Sequence, residues 1–157
     1  MIDPDSFRAA LGRFASGITV VTARDKEGRD NGMTVSAFCS VSLTPPLVLL
    51  CIGHDASMHA LLCRESHVGI SVLAEGQEPL SRRFADPETD RFDGIGFSRG
   101  ERGVVLLEDA LVQLECEIVQ RHEAGDHTVM VAAVESASVR HDRPLLYYRG
   151  GYAQLER

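Results

Sequence analysis

Residues 112 to 139 read VQLECEIVQRHEAGDHTVMVAAVESASV. Val112, Leu114, Cys116 and Ile118 alternate with Gln113, Glu115 and Glu117, the period of two that gives a strand one dry face and one wet face. Thr128 to Val139 is again rich in β-branched and small apolar residues, and HEAGDH between the two runs carries turn-forming Gly and Asp. The spacing predicts two long antiparallel strands joined as a hairpin. A hairpin alone does not hold in water, so it must belong to a larger sheet.

Working outward, ITVVTAR (Ile18 to Arg24) predicts another strand, and the polar DKEGRDNG after it predicts a hairpin connection into Gly32 to Pro46. LVLLCI (Leu47 to Ile52) is apolar at every position, which predicts a central strand buried on both faces. VGISVLA (Val68 to Ala74) predicts a further strand, and PLLYYRGGYAQL turns on Gly150-Gly151. Three short helices fit between them. Asp3-Pro4-Asp5 starts the first, with Phe7, Ala10, Leu11 and Phe14 at helical spacing and an end by Gly17. Ser57 caps a second, in which Met58, Leu61 and Leu62 share a face; Pro79 to Ala85 forms a third, closed by Asp86-Pro87. Glu88 to Gly103, polar and glycine-rich, predicts a long surface loop. Strands without regularly alternating helices argue against a doubly wound sheet. The expectation is a mainly β fold: one domain over residues 1–157, a closed or partly closed antiparallel barrel of six to seven strands with short peripheral helices.

The net charge of −7 and pI near 5.3 argue against general affinity for nucleic acid or for an anionic membrane, which rests on clustered Lys and Arg. The longest apolar run falls far short of the roughly 20 residues of a membrane span. MIDPDSFRAALGRF lacks the basic and apolar regions of a signal peptide, which predicts a cytoplasmic location. Cys39, Cys51, Cys63 and Cys116 form no C-x-x-C pair, so they are expected to be reduced, mostly buried thiols, with no metal site.

Gly94-Ile-Gly96-Phe-Ser-Arg-Gly100 misses the dinucleotide fingerprint by one residue and lacks the strand and helix that mechanism needs. His122-Glu123 and His127 miss the zinc-protease spacing, with Gly125-Asp126 breaking any helix. G-x-S-x-G is absent as well. Chemistry carried by a cofactor fits better, and hydride transfer asks the protein mainly for position and electrostatics. The stretch GMTVSAFCSVSLTPP, Gly32 to Pro46, suits a flavin: small residues at Ser36 and Ala37 let backbone approach a flat polar ring, while hydroxyls meet polar atoms. Arg82 and Arg83 offer positive charge nearby. The same pattern also describes a Ser/Thr-rich edge strand beside a solvated helix face.

GITVVTARDKEGRDNGMTVSAFCSVSLTPPLVLLCI, then LSRRFA, GDHTVMVAAV and PLLYYRGGY, resemble the flavin reductase-like family in order and spacing, from about Phe7 to Tyr152. These are short NAD(P)H:flavin oxidoreductases that serve two-component monooxygenases. The resemblance implies an FMN-binding split barrel of Greek-key type, a homodimer, and hydride transfer from NADH or NADPH to FMN, with FAD as the alternative flavin. Reduced flavin then passes to a separate flavin-dependent monooxygenase. It implies that Met33, Thr34, Val35, Ser36 and Ala37 line the flavin ring, with Ser40 and Val41 at the next turn. Cys51 and Ile52 would lie beside the ribityl chain, Ser57 at the phosphate, and Arg83 and Phe84 at the phosphate and ring end. His127 matches the nicotinamide-site histidine, the catalytic candidate, and Arg149, Gly150, Gly151 and Tyr152 match the segment that closes over the pyridine nucleotide. The family often carries Thr two residues after the serine, whereas this chain reads Ser57-Met58-His59, which leaves FMN against FAD open. A non-catalytic flavin- or haem-related binding module on the same scaffold is the alternative, since fold does not fix function. A dimeric barrel acting only as an interaction domain is a third reading.

Overall fold

The computed structural model describes residues 1–156. Asp3 caps α1 (Pro4–Leu11), its carboxylate accepting the Ser6 N–H at 3.0 Å. The chain continues through β1 (Ser16–Gly17), β2 (Thr19–Arg24), β3 (Asp30–Val35), β4 (Phe38–Ser42) and β5 (Leu47–Gly53). Next come α2 (His59–Arg64), β6 (His67–Val72), a single 3-10 turn (Glu75–Gln77) and α3 (Glu78–Ala85). The remainder is β7 (Phe97–Arg99), β8 (Val105–Leu107), the long hairpin β9 (Val112–Ala124) and β10 (His127–Val139), and finally β11 (Leu145–Tyr148) and β12 (Gly151–Gln154).

Seven strands form one antiparallel sheet in the order β3-β2-β6-β9-β10-β5-β4. The anticipated hairpin supplies its middle, with Val129 opposite His122 and Val139 opposite Val112. The edge strands β3 and β4 are consecutive in the chain, separated only by Ser36 and Ala37. Two residues cannot span an open seven-stranded sheet, whose strands lie about 4.8 Å apart. The sheet therefore curls until its edges meet, and the inward side chains of all seven strands share one core that includes Val21, Val35, Phe38, Leu50, Ile70, Leu114 and Met130. No ladder joins β3 to β4, so the barrel is split along that seam.

A second core fills the space under α3, where Ile18, Val20, Leu73, Phe84, Val105, Leu107 and Leu145 pack with Phe92, Ile95 and Phe97. Each large side chain buried there contributes about 1.5–3 kcal/mol. β2 and β6 are each buried on both faces, and β2 serves both cores. Leu47 to Ile52 differs from expectation: β5 is one strand in from an edge, and its residues alternate between buried and half-buried. Its apolar character on the second face comes from a row in which the half-buried Leu49 lies between its register neighbours, the exposed Cys39 and the buried Val131.

Other departures have local causes. Glu88–Gly103 is not wholly a loop, because Phe97–Arg99 pairs with β8 and anchors Phe97 in the second core. Ser57 makes no cap; α2 starts from Met58 without a side-chain cap bond. α1 ends at Leu11, and none of its residues is buried, with Phe7, Leu11 and Phe14 all exposed. Of the cysteines only Cys116 is buried, Cys51 is intermediate, and Cys39 and Cys63 are exposed. No described helix is long and apolar enough to cross a membrane.

Candidate functional site

A trough runs beside the seam, along the open edge of β3. Gly32 turns its carbonyl outward, where it accepts from Arg91 Nη1 at 2.6 Å. Backbone direction repeats every two residues in a strand, so the N–H and C=O of Thr34 face the same open side. Two adjoining hollows of about 350 and 190 Å3 share Thr34 and Ala85 as walls. The first is lined by Met33, Asp55, Ala56, Ser57, Phe84, Pro87 and Arg91, the second by Ile18, Ser36, Ser81, Tyr147 and Tyr152.

Side-chain bonds tie the walls together. The Thr34 hydroxyl donates to the Ser81 carbonyl at 2.6 Å, linking β3 to α3. Ser81 Oγ and the Tyr152 hydroxyl lie 2.8 Å apart, which ties α3 to β12. Tyr147 and Tyr152 meet edge to face at 5.6 Å, and the Arg82 guanidinium sits 4.7 Å over the Tyr152 ring. Gly32 is required at the base: a Cβ there would stand 2.7 Å from the buried Phe84 ring. Phe84 in turn meets Phe92 at 5.2 Å.

Met33, Thr34, Ser36, Ser57, Phe84 and Tyr152 are thus brought together. The other expected residues fall elsewhere. Val35 and Ile52 point into the barrel core, because the pleat sends every second residue inward. Phe84 has no exposed surface, so it supports the wall and offers no stacking face. Arg83 lines a separate hollow with Arg140, Asp109 and Glu108 on the far side of α3. Ala37, Ser40 and Val41 are exposed on the seam link and the opposite edge strand, and Cys51 lies on the outer sheet face. Burial, followed by the nearby Cys39, raises the Cys51 thiol. Arg149 and Gly150 form the turn between β11 and β12, both in the left-handed region at φ 54 and 77, and Gly151 begins β12.

His127 opens β10 at the mouth of the hairpin turn. Its Nδ1 lies 2.7 Å from Asp126 Oδ1, which leaves Nε2 free to accept or, in the imidazolium, to donate. That bond is the first cause holding the Asp126 carboxyl below its ordinary range. His127 does not line the trough; it faces Gly53, and Asp55, which does line the trough, flanks the same glycine.

The cation at the trough is Arg91, which sequence reasoning placed in a loop. Its neighbour Phe92 was the available signal, since an aromatic residue in a polar stretch marks an anchored segment. Asp55, Ala56, Ala85 and Pro87 were missed for the same reason: they line the trough from turns and a helix end.

The donor set suits a flavin. The trough offers small walls at Ala56, Ala85 and Ser36, the free strand edge at Thr34, hydroxyls at Ser36 and Ser57, and the guanidinium of Arg91. A flat heterocycle with polar edges and a phosphate tail needs this combination.

Comparison with known proteins agrees. Residues 11–156 match the family described as flavin reductase like domain. An NADH-dependent flavin reductase of a Rhodococcus species is 46% identical over 99% of this chain and 88% of its own length. The reductase subunit HsaB of a flavin-dependent monooxygenase from Rhodococcus jostii is 37% identical over 99% of this chain and 80% of its own. Among solved structures, the Streptomyces globisporus NADH:FAD oxidoreductase in complex with NAD and FAD fragments is 38% identical, with a TM-score of 0.93, covering 99% of this chain and 96% of that one. The chain belongs to the flavin reductase-like family.

Proposed function

We propose that the trough along β3 holds the flavin ring and that nicotinamide approaches it from the side of Asp55 and His127. The chain is an NAD(P)H-dependent flavin reductase. The observation that carries the site is the open edge of Thr34, an unpaired backbone N–H and C=O beside a small-walled trough. When bound, flavin accepts a hydride, two electrons and one proton, from the reduced nicotinamide.

The protein's part is placement. Thr34 reads the ring edge with its backbone while its hydroxyl stays committed to Ser81, so the strand cannot rotate away. Arg91 holds its guanidinium over the mouth, fixed by the Gly32 and Asp86 carbonyls at 2.6 and 3.1 Å. Ser57 supplies a hydroxyl at the phosphate end. His127, oriented by Asp126, offers Nε2 to the carboxamide of the nicotinamide, and Tyr152 with the Arg149-Gly150 turn closes over the nucleotide. FMN and FAD both fit an open trough, and NADH is the donor favoured by the relatives' names.

The chain works as a homodimer in the cytoplasm and hands reduced flavin to a separate monooxygenase. Exposed Phe7 and Leu11 on α1 and Phe14 just beyond it, with Val41 and Leu43 near the β4 edge, support a self-association surface. The reductase subunits of monooxygenase systems among the relatives support the partner. The test mixes purified protein with NADH or NADPH and with FMN, FAD or riboflavin, and follows the nicotinamide absorbance. Flavin-dependent oxidation of NADH is expected; none with any pairing refutes the function.

A further inference from the structure

In and beside the turn that follows Gly53, His54, His59 and Glu123 bring their ligand atoms within 4.8 Å of one another. They come from three places: the turn after β5, the first residue of α2 and the end of β9. His54 Nε2 lies 2.6 Å from Glu123 Oε2. The Thr128 hydroxyl donates to the other carboxylate oxygen, Oε1, at 2.8 Å, and His59 Nε2 reaches the same hydroxyl at 2.8 Å. The two imidazoles meet edge to face at 5.1 Å and 75°, converging without stacking. Because the one Thr128 hydroxyl proton goes to Glu123, His59 Nε2 donates to that hydroxyl, and its other ring nitrogen, Nδ1, lies 3.9 Å from the Sγ of Cys63, one helical turn beyond.

We propose that His54, His59 and Glu123, with Cys63 as fourth ligand, bind one Zn2+ ion per chain. Two imidazoles, a carboxylate and a thiolate select a borderline metal over Mg2+ or Ca2+, which take oxygen ligands. Tetrahedral Zn2+ sets ligand atoms about 3.3–3.6 Å apart, from bond lengths near 2.0–2.3 Å. The His, His and Glu ligand atoms, within 4.8 Å of one another, close to that by side-chain rotation, which the half-exposed His54 and exposed Glu123 permit, and the exposed Cys63 rotates in from one helical turn away.

The surroundings fit the role. Thr128 is fully buried and holds Oε1, so Oε2 is left to face the imidazoles, the outer support that ligating carboxylates ordinarily have. Among the described residues no Lys or Arg is paired with Glu123 to compete with an ion. Binding converts the Cys63 thiol to thiolate and releases its proton, so affinity rises with pH. The ion would also brace two functional segments. The His54 N–H already bonds the Asp126 carbonyl at 2.9 Å, and Asp55 and Ser57 follow directly in the trough wall.

The experiment uses untagged protein freed of metal with a chelator and titrated calorimetrically with zinc chloride, with magnesium chloride as control. One Zn2+ per chain with micromolar or tighter Kd is expected, and Tm should rise by about 5–10 °C at a hundredfold excess over Kd. His59→Ala and Glu123→Gln, each confirmed as folded by circular dichroism, should weaken binding at least tenfold. His67→Ala, at the separate His67, Glu117 and Glu135 cluster, should leave it unchanged. Cobalt(II) in place of zinc should show a thiolate charge-transfer band that Cys63→Ser removes. No zinc binding, binding undiminished by both His59→Ala and Glu123→Gln, or equal binding of Mg2+ would each overturn the site. Absence of the cobalt–thiolate band would remove Cys63 from it.

Discussion

β3 and β4 are both edge strands, and only Ser36 and Ala37 stand between them, yet their open sides differ. Along β3, α3 and the Arg91 segment close in until a narrow trough remains, with Thr34, Ser81, Tyr152 and Arg91 each fixed to a named partner. Along β4, Cys39, Ser40 and Val41 lie open, and Leu43 just beyond is 89% exposed. One edge is shaped to the width of a flat small molecule, and the other presents a broad surface with apolar patches. Unpaired edges invite another strand or chain. On the proposed function, one takes the flavin and the other a second copy of the chain.

The sharpest way to break that contrast is to charge the β4 side. The Val41→Glu, Leu43→Glu double variant should become monomeric at concentrations where the parent is dimeric, read by sedimentation equilibrium. An unchanged dimer would put the interface elsewhere, with α1 the next candidate.

Next in size is His127→Ala. Hydride transfer from NADH should fall by roughly 100-fold, the low end for loss of a positioned proton-donor group, while flavin Kd changes less than twofold. Stopped-flow reduction and a flavin titration separate these, and unchanged steady-state kinetics would remove His127 from the nicotinamide site.

Arg91→Ala should raise the flavin Kd by about tenfold, the low end for a charge-assisted bond, with little effect on turnover at saturating flavin. Arg83→Ala, on the other side of α3, should leave it unchanged. The reverse result would restore the pairing expected from LSRRFA.

The smallest effect concerns the thiols. Burial, then Glu135 and Glu115, pushes the Cys116 thiol up to about 12 from 9.0. The folded state therefore holds a proton that the unfolded chain releases, and stability should decline as pH rises from about 9 towards 12. Cys116→Ala should flatten that decline in denaturant titrations. Mass spectrometry after brief alkylation should find Cys39 and Cys63 labelled and Cys116 untouched.

What could be read from the sequence follows the same division. The hairpin from Val112 to Val139 was legible because alternation directly records which face is dry. The proposal of β3 as a ligand strand started from the sequence, because small and hydroxylated residues at Thr34 and Ser36 are unusual in a core, and the structure places both residues on the trough. Arg91 was not, since its importance arises from a fold-back that brings it to a carbonyl 59 residues earlier in the chain. β7 was hidden by the glycines around it, and the place of β5 was misread because an apolar half-exposed face looks like a core face in sequence. Arg83 and Arg82 differ by one position, which on a helix is about 100° of rotation, and only packing decides which of them meets the trough.

The short link at Ser36-Ala37 also bears on how the barrel forms. Joining distant edges through a long loop would carry a closure entropy that grows with loop length. Here the edges are adjacent in the chain, so the seam closes as a local event once β2-β3 and β4-β5 exist as hairpins. The long-range step in folding falls instead on the docking of β6 and β10, whose pairings span the greatest chain separations in the barrel. Lengthening the Ser36-Ala37 link would therefore slow closure while leaving that docking step, and the speed it sets, almost untouched.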